Sequence, residues 1–339
     1  MAGRRSWVDA LFDLVDRIPG PTWLVYAALT LLFGTSSVLL RLLDGSAAVT
    51  PINPATTAYA AFTVLPFAVA HYLSRAAVSS LEEFRPALGD LEPRYAEFRR
   101  RLTTMPIWVS IVAPVLGLAV WATGQLSSRS GWGITAHTST LTNVTTIATG
   151  IVLNVGLAIL VARCLRQAVA ISRLHRDATA IRLGETGPHV AFSRLTFAMA
   201  ISVAVPYSLV LVLTILLSEI SITEVVIYVV VVALVVALFV LPLGGLHGRL
   251  LRLKAARLSE SNRVFELAGA DLHRTVESGD LARVPLLNDA IAALGAEQER
   301  IRRFSTWPWS AETIRGLLTS LGLPVLLWLI TTLLGRLLA

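Results

Sequence analysis

The sequence predicts an all-α polytopic membrane protein, and three observations predict it. Hydrophobic residues make up 55% of the 339-residue chain, charged residues only 15%, and its long apolar runs show no alternation. Soluble domains carry about 25% charged residues. A helix crosses the hydrocarbon core with about 20 apolar residues, whereas a membrane β-barrel needs repeated alternating segments of about ten. The run "VVIYVVVVALVVALFVL", Val225 to Leu241, does not alternate, so the spans are read as helices.

In chain order, residues 1–21 come first. Trp7, Val8, Leu11, Phe12, Val15 and Ile18 recur at helical spacing, with Asp9, Asp13, Asp16 and Arg17 mostly opposite. This is the pattern of an amphipathic helix lying in the inner interface, ended by Pro19, Gly20 and Pro21. Seven spans are expected: Trp23–Leu43, Ala55–Leu73, Ile107–Thr123, Val144–Ala162, Thr196–Leu217, Val225–Leu241 and Leu317–Leu334. Residues 22–245 hold six of them, together with two inward loops, 74–105 and 163–195, that read as helical. The fourth span is expected to run on past the bilayer before "GETGP" turns the chain back. Pro242–Gly245 is expected to break or kink the helix of the sixth span.

Residues 246–309 form a cytoplasmic helical hairpin, with its turn at Ser278–Asp280. In its return arm Leu287, Ile291, Leu294, Gln298 and Ile301 follow a 4-3-4-3 rhythm, the seam of a helix that packs along a partner. The partner is left open between the hairpin's own first arm, another loop and a second subunit. Trp307 and Trp309 are placed as interface anchors, because indole rings favour the headgroup level. Pro308 ends the return arm, and Ser310 is the expected N-cap of the last span, residues 310–339.

Lysine and arginine set the orientation, since cationic loops resist translocation. With the N-terminus inside, 26 of the 29 fall on inward segments, leaving Arg41, Arg129 and Arg336 outside. The expected placement is a multi-pass protein of the inner (plasma) membrane, N-in and C-out. Its formal charge of +7 then describes a skirt facing anionic lipids, not a nucleic-acid surface.

Little in the chain points to chemistry. A single cysteine, Cys164, excludes an internal disulfide. The six histidines include no pair at i, i+4, so no metal is expected, and no cofactor motif appears. "HRDATAIRL" at His175–Leu183 opens like a kinase catalytic loop, but Arg182 stands where that loop needs Asn. "NVT" at Asn143 matches a glycosylation sequon and is read as incidental. His71, Arg163, Glu219 and Glu224 fall at span ends, where water is in reach. No ionisable residue is expected at mid-span, which disfavours carboxylate-coupled transport. An enzyme is not expected.

Ser320, Pro324, Thr331 and Gly335 share one face of the seventh span. Such a stripe either lets helices approach closely or lines an oligomeric pore. The layout as a whole has a relative. An amphipathic N-terminus, seven spans, inward helical extensions of spans four to six and a cytoplasmic helix joined to a terminal span resemble the seven-transmembrane ion channel superfamily that includes insect odorant and gustatory receptors. The chain would be a bacterial or archaeal member. Of that family's Thr-Tyr…Gln-Phe signature, "LPVLLWLITTLLGRLLA" holds only Thr331 and Thr332, so no ligand or gate residue carries over. The resemblance implies a tetrameric cation channel, with Leu287, Ile291, Leu294, Gln298 and Ile301 in the subunit contact and the Ser320–Gly335 stripe facing the pore. The alternative is a non-conducting membrane sensor or scaffold that acts through its cytoplasmic helices. The ligand is unknown in either case.

Overall fold

The computed structural model describes residues 6–45, 47, 57, 60–127, 139–179, 191–217, 222–307, 309 and 311–338. Among them there is no strand. The first four helices are α1 (Trp7–Arg17), α2 (Thr22–Leu43), α3 (Leu65–Phe84) and α4 (Tyr95–Thr103). Then come α5 (Ile107–Ser127), α6 (Thr140–Asp177), α7 (Ser193–Leu217), α8 (Ile222–Glu277), α9 (Val284–Arg303) and α10 (Ala311–Leu338). Short 3-10 turns at Arg85–Ala87 and Gly89–Arg94 join α3 to α4.

Five helices, in α2, α5, α6, α8 and α10, are long and apolar enough to cross a membrane. The run Thr196–Leu217 lies in α7, which is 25 residues long. The run Ala55–Leu73 enters α3 only in its second half, its first residues lying mostly outside the described ones.

α6 is the central post, packed against α5, α8, α3, α4 and α2. The expected continuation of the fourth span is present, since α6 runs unbroken for 38 residues, about 57 Å at 1.5 Å per residue. Its first turn is capped by Ser139, whose hydroxyl accepts from Thr142 N at 3.1 Å. The Asp44 carboxylate at the end of α2 accepts from Ser139 N at 3.1 Å and from the Thr142 hydroxyl at 2.6 Å, a position where the helix dipole favours an anion. α5 meets α6 closely because Gly117 has no side chain: a Cβ there would lie 2.6 Å from the Asn154 carbonyl oxygen. Between membrane helices such close packing replaces the hydrophobic drive that water would supply. The largest fully buried side chains, Phe84, Leu88, Ile171, Leu174 and Phe192 among them, sit where α3, α6 and α7 come together toward the α1 end of the bundle. α2, by contrast, has no buried residue.

Of the break or kink expected at Pro242–Gly245, the break does not occur, and α8 passes through as one helix of 56 residues. A proline removes one backbone hydrogen bond and each glycine costs about 1 kcal/mol against alanine. Leu238, Leu243, Leu246 and Leu250, each at most 1% exposed, hold the segment helical from both sides. The turn expected at Ser278–Asp280 is present, with Gly279 at φ 78°, a left-handed geometry that glycine adopts without strain.

Candidate functional site

Two polar or aromatic centres adjoin the apolar core, one where α1 docks and one where α8 meets the start of α10. α1 forms as its pattern predicts, with Ser6 as N-cap accepting from Asp9 N at 3.1 Å. It buries Val8, Phe12 and Val15 against the protein. Its acidic face, expected to be solvated, turns partly inward. Asp9 accepts from Met105 N at 3.0 Å and from Arg163 Nη2 at 3.0 Å. Arg163 itself is only 3% exposed. It donates to the Ser74 hydroxyl and, at 3.0 Å, to the Thr103 carbonyl, and its guanidinium lies over the Phe12 ring.

This corrects the reading of Arg163 as a span-end residue reaching water. A guanidinium is stable in such a place only when paired and hydrogen-bonded, and its partner lies 154 residues upstream. Its Nε has no hydrogen-bond partner among the described residues. One turn along α6, Gln167 is 1% exposed and donates to the carbonyls of Leu73 and Leu102 at 3.3 and 3.1 Å. Arg163 and Gln167 together tie α6 to α3 and to the end of α4.

The second half of α1 makes a parallel set of contacts. His71 is buried. It stacks on Phe12 with ring centroids 4.7 Å apart. Its Nε2 lies 3.2 Å from Asp16, a carboxylate that can only accept, so Nε2 carries a proton. Its Nδ1 is 3.1 Å from the Tyr26 hydroxyl. Asp16 also pairs with Arg75, which donates to the Thr22 hydroxyl at 3.0 Å. Trp7 Nε1 donates to the Ser110 carbonyl at 2.7 Å and fastens α1 to α5.

The second centre is a stack of four rings. His247 lies on Trp307 at 3.8 Å, Trp307 on Trp309 at 4.7 Å and Trp309 on Phe239 at 4.4 Å. Phe239 and His247 both belong to α8 and flank Pro242–Gly245, so the tryptophan pair splints that stretch. His247 Nδ1 reaches the Thr306 carbonyl at 3.1 Å, and Lys254 donates to the carbonyls of Arg302 and Phe304 at 2.7 and 2.8 Å. Lys254 on α8 thereby satisfies one terminal carbonyl of α9 and that of its C-cap, Phe304. Pro308 and Ser310 lie outside the described residues.

From this joint α9 runs back along α8. Leu287, Ile291, Leu294, Gln298 and Ile301 are all half-buried on a helix with no fully buried residue, and α8 is the element packed against it. The first arm answers with its own 4-3 series, in which Leu258, Ser261, Phe265, Ala268, Leu272 and Thr275 are buried or half-buried. The sequence reading missed this second series, since its serine, alanine and threonine do not register as apolar. The 4-3 spacing itself was the available signal.

On α10, Pro324 is buried and Ser320 half-buried, α7 is the main partner, and the Ser320 carbonyl accepts from the Ser208 hydroxyl at 2.9 Å. At that level the stripe lies on a helix that packs against α7. The other side of α10, including Leu318, Leu323, Leu326 and Leu329, is exposed. The surroundings of Thr331 and Gly335 are not among those described, and neither are those of Glu219 and Glu224. Thr35 and Asn154, polar residues within spans, bond back to carbonyls four residues earlier, Leu31 at 2.6 Å and Gly150 at 2.9 Å. Cys164 is buried, and no group of three or more His, Cys, Asp or Glu that could hold a metal occurs among the described residues. No protein-family model, no curated protein and no solved structure matches the chain.

Proposed function

We propose that this chain is a multi-pass membrane sensor, in which rearrangement of the membrane helices is passed to the α8–α9 hairpin for a cytoplasmic partner to read. The observation that carries the reading is the joint at Trp307 and Trp309. Two helices able to cross a membrane, α8 and α10, are joined in sequence by the hairpin and meet where the Tyr228 hydroxyl donates to the Leu321 carbonyl, and four stacked rings fix the hairpin's base. Movement of α10 against α8 therefore acts on the hairpin directly. Seven spans with the N-terminus inside complete the proposed topology. It is supported by 26 of the 29 basic residues falling on inward segments, which would set the α1 end and the hairpin against the anionic leaflet.

The reading is tested with spin labels on the full-length protein in nanodiscs, at Glu83→Cys on α3 and Arg274→Cys near the hairpin tip. Both sites are exposed, and the native thiol is buried. The label-to-label distance is expected to shift by about 5 Å between thin and thick bilayers, on the scale of known helix ratchets. Trp307→Ala should remove that response. Identical distance distributions in every bilayer would overturn the proposal.

A second reading, an oligomeric cation channel with α10 around its axis, draws on the uncovered apolar side of α10, which suits packing against a second copy. It predicts cation flux from liposomes holding the wild-type protein, blocked by Thr331→Trp. Flux unchanged by that substitution, or no flux in any salt, counts against a pore at the seventh span.

A further inference from the structure

Two cavities meet at the α1 end of the bundle. One, of about 580 Å³, lies between α1, α3 and α4 and is lined by Asp13, Asp16, Tyr95, Arg99 and Arg100. The other, of about 680 Å³, is a largely apolar groove between α2, α3 and α7, with Ala27, Val69, Ile201, Val205 and Pro206 in its walls. His71 and Arg75 line both, so the Arg75 guanidinium stands where the polar cavity gives way to the apolar one. Exposed aromatic side chains, Trp7, Trp23, Tyr72 and Trp108, surround this end, as is usual at headgroup depth.

The charges say what the pair of cavities would take. The arginines on either side of Arg99 and Arg100 are engaged: Arg94, just before α4, and Arg101 on it both pair with Glu97. Arg99 and Arg100 are exposed and their side chains make no ion pair or hydrogen bond among the described residues, yet both line the polar cavity. Guanidinium groups so placed suit a phosphate, which accepts charge-assisted bonds from several donors. Asp13 and Asp16 line the same cavity from α1, so a ligand of one sign only would meet repulsion there. A group with a phosphate and an ammonium meets both. The apolar groove extends from Thr22 to Thr30 along α2, about 12 Å of helix, enough for much of an acyl chain.

We propose that the two cavities together form a binding site for a glycerophospholipid with a primary-amine headgroup, its phosphate on Arg99 and Arg100, its ammonium on the Asp13 and Asp16 side of the polar cavity, and one acyl chain in the α2–α3–α7 groove. A quaternary ammonium offers no N–H to the carboxylates, and a glycerol headgroup offers no cation. The site therefore selects the primary amine over both. The inference rests on the chain being membrane-embedded and not on the hairpin acting as a transmitter.

The test is native mass spectrometry of the full-length protein in detergent, titrated in parallel with phosphatidylethanolamine, phosphatidylcholine and phosphatidylglycerol of the same acyl chains. Phosphatidylethanolamine should be retained roughly fivefold or more over the other two, and Arg99→Ala with Arg100→Ala should cut its retention roughly tenfold, the effect of losing one or two charge-assisted bonds. Val205→Trp, filling the groove from a half-exposed position, should lower retention of all three lipids. Unchanged melting of the arginine variant, whose side chains are exposed and unpaired, separates loss of binding from loss of fold. Equal retention of the three lipids, a preference for phosphatidylglycerol, or unchanged retention in the double variant would overturn the site. Recovery of the chain in the aqueous fraction without detergent would instead overturn the membrane reading beneath it.

Discussion

Asp9 and Arg163 carry the largest single-residue liability in the molecule. The arginine is 3% exposed and its counterion side chain 12%, so each partner is stable in place only because the other is there. Breaking a buried pair from one side leaves an uncompensated charge and costs about 3–5 kcal/mol. Asp9→Asn is expected to lower the unfolding midpoint in detergent by that order, and Arg163→Met on its own to do less, since the aspartate it frees lies nearer to water. The double variant should be more stable than Asp9→Asn alone. A midpoint for Asp9→Asn within error of the wild type would show that the pair contributes nothing. The sequence announces Asp9 as one of four charged residues on a small helix and Arg163 as the basic end of a span. Nothing local distinguishes either from a solvated charge, because the interaction depends on a docking that spans nearly half the chain.

At the scale of elements, the helices show which of the sequence's punctuation marks matter. Gly117 and Gly244 both interrupt apolar helices, and they behave oppositely. A side chain at 117 would strike the backbone of α6, whereas at 244 it would meet nothing within 4 Å. Gly117→Leu should therefore separate α5 from α6 and destabilise the fold, while Gly244→Ala should be neutral or stabilising by about 0.5–1 kcal/mol, through lost freedom of the unfolded chain. Circular dichroism melts in micelles compare the two, and equal midpoints would remove the close-approach argument for α5 and α6. The same contrast explains the unbroken passage of α8 through Pro242–Gly245. Prolines and glycines lower helix propensity locally, but the four leucines that bury themselves around this stretch were spaced for a helix throughout. The 4-3 rhythm of α9 was legible because it is apolar, and the matching series on α8 was not.

Taken whole, the chain was most legible where it repeats one simple physical demand, long runs of apolar residues that satisfy their own backbone. The helical class, the long continuation of the fourth run, the hairpin with its turn at Gly279 and the amphipathic start all follow from periodicity and from breaker residues. What periodicity cannot carry is which face meets which neighbour. The stripe at Ser320 and Pro324 reads equally as a pore wall or a packing face, and only the position of α7 brings the Ser208 hydroxyl to the Ser320 carbonyl. The two cavities at the α1 end were likewise out of reach, since Arg99 and Arg100 are ordinary members of a basic run until Glu97 is seen to pair with their neighbours.

The length of α8 has a mechanical side. From Gly245 to Glu277 it extends about 48 Å, and the ring stack on Trp307 and Trp309 sits at the near end of that rod. A tilt of about 10° there carries the Gly279 turn sideways by about 8 Å over that length. On the proposed reading the tryptophan pair is a fulcrum and the hairpin its long arm, so a shift no larger than a side-chain rearrangement at the base arrives at the tip as nearly the width of a helix.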